Sequence, residues 1–133
     1  PSKEDWTKEG NMKLLEIPNF ADMTIESNDE YGRDRDQWPL FRTEGAERLL
    51  VHVDNMLEFY KKKELPATIC LYLHPWEFHE MPEGLIHYGE GSVLPDPFIT
   101  KNCGEVAVRE LDKLIGELTK RGGVFRQARE IVD

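Results

Sequence analysis

The chain has 133 residues and a formal net charge of −9. This acidic balance argues against a nucleic-acid partner, because recognition of phosphate backbones depends on clustered lysine and arginine. Hydrophobic residues make up 39% and charged residues 32% of the chain, which is typical of a folded globular domain and not of a disordered one.

The sequence also argues against a membrane partner. No apolar run reaches the roughly 18 residues that a membrane-spanning helix needs, and the polar start Pro1–Asp5 does not have the apolar core of a signal peptide. Two cysteines, Cys70 and Cys103, are too few for a disulfide framework or a cysteine zinc site. These features favour a cytoplasmic setting, although a single disulfide stays open.

The first predicted element is a short strand at Leu14–Ile17. A long ordered loop without a clear period follows over residues 19–42. Thr43 then caps an amphipathic helix, whose apolar residues recur at three- and four-residue steps. These residues are Ala46, Leu49, Leu50, Val53, Met56, Leu57 and Tyr60. His52 lies off this stripe, so we expect it to face solvent.

A second strand is predicted at Thr68–Leu73, because this run is continuously apolar, as in a parallel sheet that is covered on both faces. A connection rich in glycine and proline covers residues 77–101. Asn102 then caps a second helix, and Glu105 completes a capping box. The core face of this helix is Ala107, Leu111, Leu114, Ile115 and Leu118.

Gly122 and Gly123 end this helix, Val124–Phe125 resembles a last short strand, and Ala128–Val132 a closing helix. The order strand, helix, strand, helix, strand predicts an α/β fold with parallel strands alternating with helices. Three short parallel strands leave bare sheet edges, so we expect more strands, either in a missing segment or in a partner chain.

The strongest candidate for chemistry is His74, which follows the second strand within Leu71–Phe78. Catalytic groups gather at the carboxyl ends of strands in α/β sheets and barrels. Imidazole exchanges a proton near neutral pH, and the apolar rings of Trp76 and Phe78 are placed to wall a pocket. The pattern alone supports a catalytic histidine and a histidine that only caps the strand about equally.

Several residues after the second strand carry ligand-type side chains. They are His74, Glu77, His79, Glu80 and His87. Helical zinc motifs place two histidines four residues apart, whereas His74 and His79 are five apart and Pro75 prevents a helix from starting at His74. We therefore expect no metal ligands in this chain. The acidic residues of the first loop are interpreted as surface acids, and they are Asp22, Glu26, Asp29 and Glu30.

The segment Leu71–Phe78 resembles the last motif of the polysaccharide deacetylases with NodB homology, carbohydrate esterase family four. In that family a leucine-rich strand ends in a catalytic histidine. The letters HPWE after the strand resemble a branch that includes peptidoglycan-deacetylase-like and allantoinase-like proteins. Leu14–Pro18 with Ser27–Glu30, and the closing segment Gly122–Ile131, are similar to further segments of that branch.

The resemblance implies a metal-dependent hydrolase that removes N-acetyl groups from an amino-sugar polymer or glycan, on a distorted (β/α)7 barrel. His74 would be the general acid that protonates the departing amine. Leu71, Leu73 and Trp76 would line the acetyl pocket, and Asp29 would be a further substrate-binding residue.

Two motifs of the family are missing from the sequence, namely an Asp-Asp pair at a strand end and the H-x-x-x-H pair of metal histidines. Residues 1–133 are therefore expected to be the C-terminal part of the barrel and to be inactive alone. The divalent metal, usually zinc, would be bound by residues outside this chain, in the N-terminal half of the barrel or in a partner chain. Homo-oligomer formation stays open.

Three functions remain after this step. The chain is part of a deacetylase that acts on a carbohydrate, a non-catalytic module that binds glycans or completes another chain's barrel, or part of an allantoinase-like amidohydrolase of the same fold. The sequence names neither the glycan nor the metal.

Overall fold

The computed structural model describes residue 10, residues 16–25 and residues 39–131. The α-helices in these ranges are α1 (Leu40–Thr43), α2 (Ala46–Lys62), α3 (Pro97–Thr100) and α4 (Glu105–Lys120). The strands are β1 (Ile86–Tyr88) and β2 (Gly91–Val93), and 3₁₀ turns cover Pro75–Phe78 and Ala128–Glu130.

The two long helices confirm the predictions made from apolar periodicity. In α2 the predicted stripe from Ala46 to Met56 is buried. Its cap differs from the prediction, because Thr43 lies in α1 and Gly45, with φ of 96°, precedes the helix. The first backbone N–H of α2 is bound instead by the carboxylate of Glu110, at 2.9 Å from the nitrogen of Ala46.

Helix α4 also forms as predicted, but Ile115 of its predicted core face is 41% exposed, and the start of the helix is built differently. Gly104, with φ of 80°, is the N-cap residue, and no side chain caps the helix. Asn102 has φ of 59°, and its amide donates to the backbone oxygen of Arg42 over 2.8 Å. Asn102 therefore fastens α1 to the turn before α4 and does not cap α4.

The core lies where three helices meet. Helix α1 packs against α2 and α4, α2 packs against α4, and the first 3₁₀ turn rests on α4. The buried apolar side chains are Phe20, Leu40, Phe41, Ala46, Leu49, Leu50, Val53, Met56, Ala107 and Leu114. Burial of these side chains is the main stabilising contribution to the fold.

The predicted fold class is wrong. The described part of the chain is mostly helical, and its one sheet is an antiparallel hairpin in which Ile86 pairs with Val93 and Tyr88 with Gly91. It shows no parallel strands and no portion of a (β/α)7 barrel. The hairpin lies in the connection between residues 77 and 101, where three-residue strands are too short to produce an alternating pattern that the sequence reveals.

The extended segment Thr68–Leu73 shows why the parallel sheet was predicted and why it is not formed. Ile69, Leu71 and Leu73 pack against the helical core, whereas the side chain of Tyr72 is 52% exposed. One face is therefore covered, not two. One backbone hydrogen bond, from the nitrogen of Phe20 to the oxygen of Cys70, is 2.7 Å long. A strand needs a ladder of such bonds, and the described residues supply no ladder here.

The other predicted terminal elements differ as well. Leu14 and Leu15 lie outside the described residues, and Glu16 and Ile17 are not in a strand. Val124–Phe125 is exposed and forms no strand, because nothing described pairs with it. The closing helix is a 3₁₀ turn at Ala128–Glu130.

In the parts of the chain that the structure describes, no helix is both long and apolar enough to cross a membrane. Cys70 and Cys103 are free thiols, so they do not form the disulfide that the sequence left open.

Candidate active site

His74 stands at the junction of the extended segment and the first 3₁₀ turn. Its backbone is extended, with φ of −111° and ψ of 140°, and Pro75 starts the turn. The imidazole stacks on Trp76 with ring centroids 5.2 Å apart, and Tyr72 meets it edge-on at 4.5 Å. The side chain is 27% exposed, so the ring is held by aromatic neighbours and is still reached by solvent.

The carboxylate of Glu77 is the polar partner of His74. Its Oε1 accepts the backbone N–H of His74 over 2.8 Å and lies 3.1 Å from the ring nitrogen Nδ1. The Glu77 side chain is 0% exposed. A three-residue spacing across a tight turn brings the carboxylate back onto the residue that starts the turn, as in a capping box.

Arg42 holds the other side of this carboxylate. Its Nε donates to Oε2 of Glu77 over 2.6 Å, and both side chains are fully buried. The remaining guanidinium nitrogens donate to the backbone oxygens of Ile99, over 2.6 Å, and Lys101. A buried charge that loses its partner costs about 3–5 kcal/mol, so Arg42 and Glu77 depend on each other.

This arrangement is chemically suited to proton transfer. A half-buried imidazole whose orientation is set by a buried carboxylate is the base-and-orienter arrangement of acid–base catalysis. The guanidinium of Arg42 also lies 5.6 Å from the ring of Trp76, which stacks on His74. Glu77 and Trp76 therefore both link Arg42 to the imidazole.

The thiol near this site does not have the properties of a nucleophile. Burial raises the pKa of Cys103, and the nearby carboxylate of Glu77 raises it further, although Arg42 opposes the increase. A thiol with a raised pKa is mostly protonated at neutral pH, and only the thiolate is reactive.

A second pair of a histidine and a carboxylate, His52 and Asp22, lies in the core. The sequence predicts both residues at the surface. His52 is buried, so the expectation that it faces solvent is wrong, and its Nδ1 lies 2.9 Å from Oδ2 of Asp22. Asp22 is also buried, and Asn55 and Thr24 donate to it over 2.9 and 2.5 Å. His52 escaped prediction because helical periodicity assigns faces by apolar residues, whereas a polar partner from residues 16–25 covers this one.

The predicted substrate-binding residues are placed in different surroundings. Trp76 contacts His74 directly. Leu71 and Leu73 line a cavity of about 20 Å³ on the core side of the extended segment. The other lining residues are Asn19, Phe20 and Tyr72 and the helical Phe41, Leu49 and Leu114. Such a cavity holds about one water-sized group. Asp29 lies outside the described residues, and the substrate-binding roles of all four residues stay predictions.

Arg42 and the role of Glu77 were not recognised from the sequence. Glu77 carried a usable signal, since it stands three residues after His74, the spacing of a capping box. Arg42 carried none, because Glu77 is 35 residues away and Lys101 is 59 residues away in the chain. Arg42 lies in a stretch without apolar periodicity, so the sequence predicts a loop residue there.

No group of three or more histidine, cysteine or acidic residues comes together anywhere in the described ranges. His79 and Glu80 are exposed, and His87 is bound to Ser92 across the hairpin over 2.6 Å.

A wide groove of about 580 Å³ lies between residues 80–84 and 94–103, and His74 is not part of its lining. Apolar side chains such as Met81 and Leu94 alternate in its lining with polar ones such as Glu80 and Asn102. Its volume falls within the range of small-molecule sites. Asn102 joins the groove to the buried network through its hydrogen bond to the backbone of Arg42.

Comparison of the chain with protein-family models, with curated proteins and with solved structures gives no significant match.

Proposed function

We propose that this chain supplies the general acid of a hydrolase that removes N-acetyl groups from an amino-sugar polymer or glycan. One observation carries the proposal, namely the contact of 3.1 Å between Nδ1 of the half-exposed His74 and the buried carboxylate of Glu77. The buried guanidinium of Arg42 holds this carboxylate in place behind the ring, which is the support that an acid–base histidine requires. The resemblance of Leu71–Phe78 to the last motif of the polysaccharide deacetylases gives the reaction class.

The role follows from the chemistry of amide hydrolysis. When the bond between the acetyl carbon and nitrogen breaks, the electron pair goes to the nitrogen, and an amine leaves easily only if it takes up a proton. Protonated His74 donates that proton, and its contact with Glu77 orients the ring for the transfer. The divalent metal of this family would be bound by residues outside this chain, and no step assigned here runs through it.

The groove supports a carbohydrate as the substrate class. Sugar rings present apolar C–H faces and hydroxyl edges, and they are held by surfaces that combine apolar side chains with hydrogen-bonding groups. The walls at Met81 and Leu94, next to Glu80 and Asn102, have this mixed character. The groove is therefore proposed to hold the glycan.

The test is acetate release from N-acetylglucosamine oligomers by the full-length protein. His74→Ala is expected to lower turnover by about 10² or more, the usual contribution of a general acid, while bound metal is unchanged. His87→Ala, which removes a histidine from the exposed hairpin, is the matched control and is expected to keep wild-type turnover.

Four results would contradict the proposal. Turnover of His74→Ala close to that of the control would exclude a general acid, and loss of metal in this variant would make His74 a ligand. Cleavage of a small non-sugar amide, without acetate release from any oligomer, would favour an allantoinase-like amidohydrolase. Glycan binding without any hydrolysis would leave a non-catalytic module.

A further inference from the structure

The hydrogen bonds around Glu77 indicate which ring nitrogen of His74 carries the proton in its neutral form. Oε2 of Glu77 is bound by Arg42, whose guanidinium stays charged in proteins, so the carboxylate is expected to be ionised. An ionised carboxylate only accepts hydrogen bonds. The contact of 3.1 Å between Oε1 and Nδ1 therefore requires Nδ1 to be the donor.

If His74 had only a structural role as a turn cap, Nε2 and not Nδ1 would carry the proton. If the imidazole served only to cap the 3₁₀ turn, Nδ1 would accept the backbone N–H of Glu77, and Nε2 would carry the proton. In the structure that N–H donates to the backbone oxygen of His74 at 3.1 Å, and the imidazole also stands over it as in a capping box. The carboxylate decides between the two tautomers, because an ionised Oε1 at 3.1 Å from Nδ1 can only accept.

Arg42 fixes the position of this carboxylate through more than one bond. It binds Glu77 through Nε while its other nitrogens bind the backbone oxygens of Ile99 and Lys101, so the guanidinium cannot rotate without losing all of them. Lysine keeps the charge but cannot reproduce a planar fork that serves three acceptors. Arg42 and Glu77 together form a rigid support behind the imidazole.

We propose that Glu77 and Arg42 are positioning residues that hold neutral His74 in its Nδ1-protonated tautomer, which makes Nε2 the atom that exchanges the proton with the substrate. The catalytic meaning of this assignment rests on the proposed function. The tautomer itself is a property of the folded chain, so it is measured without substrate.

The experiment uses protein labelled with ¹⁵N-histidine and long-range ¹H–¹⁵N correlation spectra at alkaline pH, where imidazoles are neutral. For the wild type we expect the His74 signals of an Nδ1-protonated ring. In Glu77→Gln this signature should give way to a mixture or to the Nε2-protonated form, because an amide can donate as well as accept. Glu90→Gln, which makes the same change at an exposed position outside the groove, should keep the wild-type signature.

Arg42→Lys tests the second positioning residue. It should broaden or partly convert the His74 signals, since Glu77 keeps a charged neighbour but loses the fork. An Nε2-protonated His74 in the wild type would overturn the proposal, and so would an unchanged signature in Glu77→Gln. The wild-type spectrum decides the assignment even if a variant does not fold.

The same proteins separate this proposal from the proposed function. An Nδ1-protonated His74 in a protein that releases no acetate would leave the tautomer assignment standing and contradict the deacetylase. Acetate release that depends on His74, together with an Nε2-protonated ring, would support the proposed function and contradict the tautomer assignment.

Discussion

Asp22 is the residue at which burial and hydrogen bonding oppose each other most clearly. Burial alone would raise the pKa of its carboxyl, but hydrogen bonds from Thr24, Asn55 and His52 outweigh that effect and lower it below the ordinary value. The charged form is thus stabilised by folding. Through Asp22, residues 16–25 are fastened to α2, and the backbone nitrogen of Phe20 fastens the same residues to the extended segment before His74.

This lowered pKa predicts a specific dependence of stability on pH. A carboxyl whose pKa is lower in the folded state contributes stability above its ordinary pKa, and this contribution is lost as the pH falls through the folded value. Below about pH 4 the free energy of unfolding of the wild type should therefore fall more steeply than that of Asp22→Asn. Urea unfolding at several pH values measures both slopes.

The comparison needs a control for the chemical change itself. Asp112→Asn removes a carboxyl from an exposed position of α4 and separates the buried contacts of Asp22 from the mere loss of one charge. Identical slopes for wild type and Asp22→Asn would show that Asp22 is not stabilised in its charged form.

Among the elements, the start of α4 depends on a glycine that makes a close contact. Gly104 has φ of +80°, and a methyl group added there would lie 3.2 Å from the backbone nitrogen of Glu80. Its own nitrogen donates to the oxygen of Glu77 over 2.8 Å, so this glycine joins α4 to the turn that carries the site. Left-handed backbone and lack of space both require glycine here.

Gly122, at the other end of α4, allows these two effects to be separated. It has φ of +84°, but an added methyl group would meet nothing within 4 Å. We expect Gly122→Ala to lower the free energy of unfolding by about 1 kcal/mol, the conformational cost alone. Gly104→Ala should lower it by about 2–3 kcal/mol, because the backbone of Glu80 must also shift.

Thermal or urea unfolding of the two variants checks this difference. Equal losses for Gly104→Ala and Gly122→Ala would mean that the contact with Glu80 adds nothing and that only the backbone angle matters.

At the scale of the whole molecule, the helices are joined by a few residues that each reach several elements. Leu114 of α4 is fully buried, and it lines the small cavity together with Phe20, Phe41, Leu49 and the extended segment. A buried side chain that contacts several elements should contribute more to stability than its exposed neighbours on the same helix.

Leu114→Ala is therefore expected to lower the free energy of unfolding by about 2–5 kcal/mol, since it leaves a cavity between the helices. Ile115, the next residue on α4, is 41% exposed. Ile115→Ala should cost only about 0.5 kcal/mol, as is usual for surface positions. Urea unfolding compares the two, and similar losses would contradict the packing of α4 described here.

The whole-molecule prediction failed at the sheet and succeeded at the helices for a physical reason. Apolar spacing within α2 and α4 reports directly which face is buried, because a helix forms its backbone hydrogen bonds internally. The run Thr68–Leu73 has the composition of a buried strand, but a strand exists only with a partner strand. The local sequence does not indicate whether a partner strand is present.

The sequence by itself determined the two amphipathic helices and the glycines at the end of α4. It also indicated His74 as a candidate for chemistry, which stays a prediction. Each of these follows from interactions between residues a few positions apart. Only the tertiary structure decided that Arg42 is buried behind Glu77, that His52 meets Asp22 and that Thr68–Leu73 covers the helices on one face. These features join residues that are distant in the chain, as Asp22 and His52 are at 30 positions. Such contacts are set by how whole elements pack, and residue spacing does not encode them.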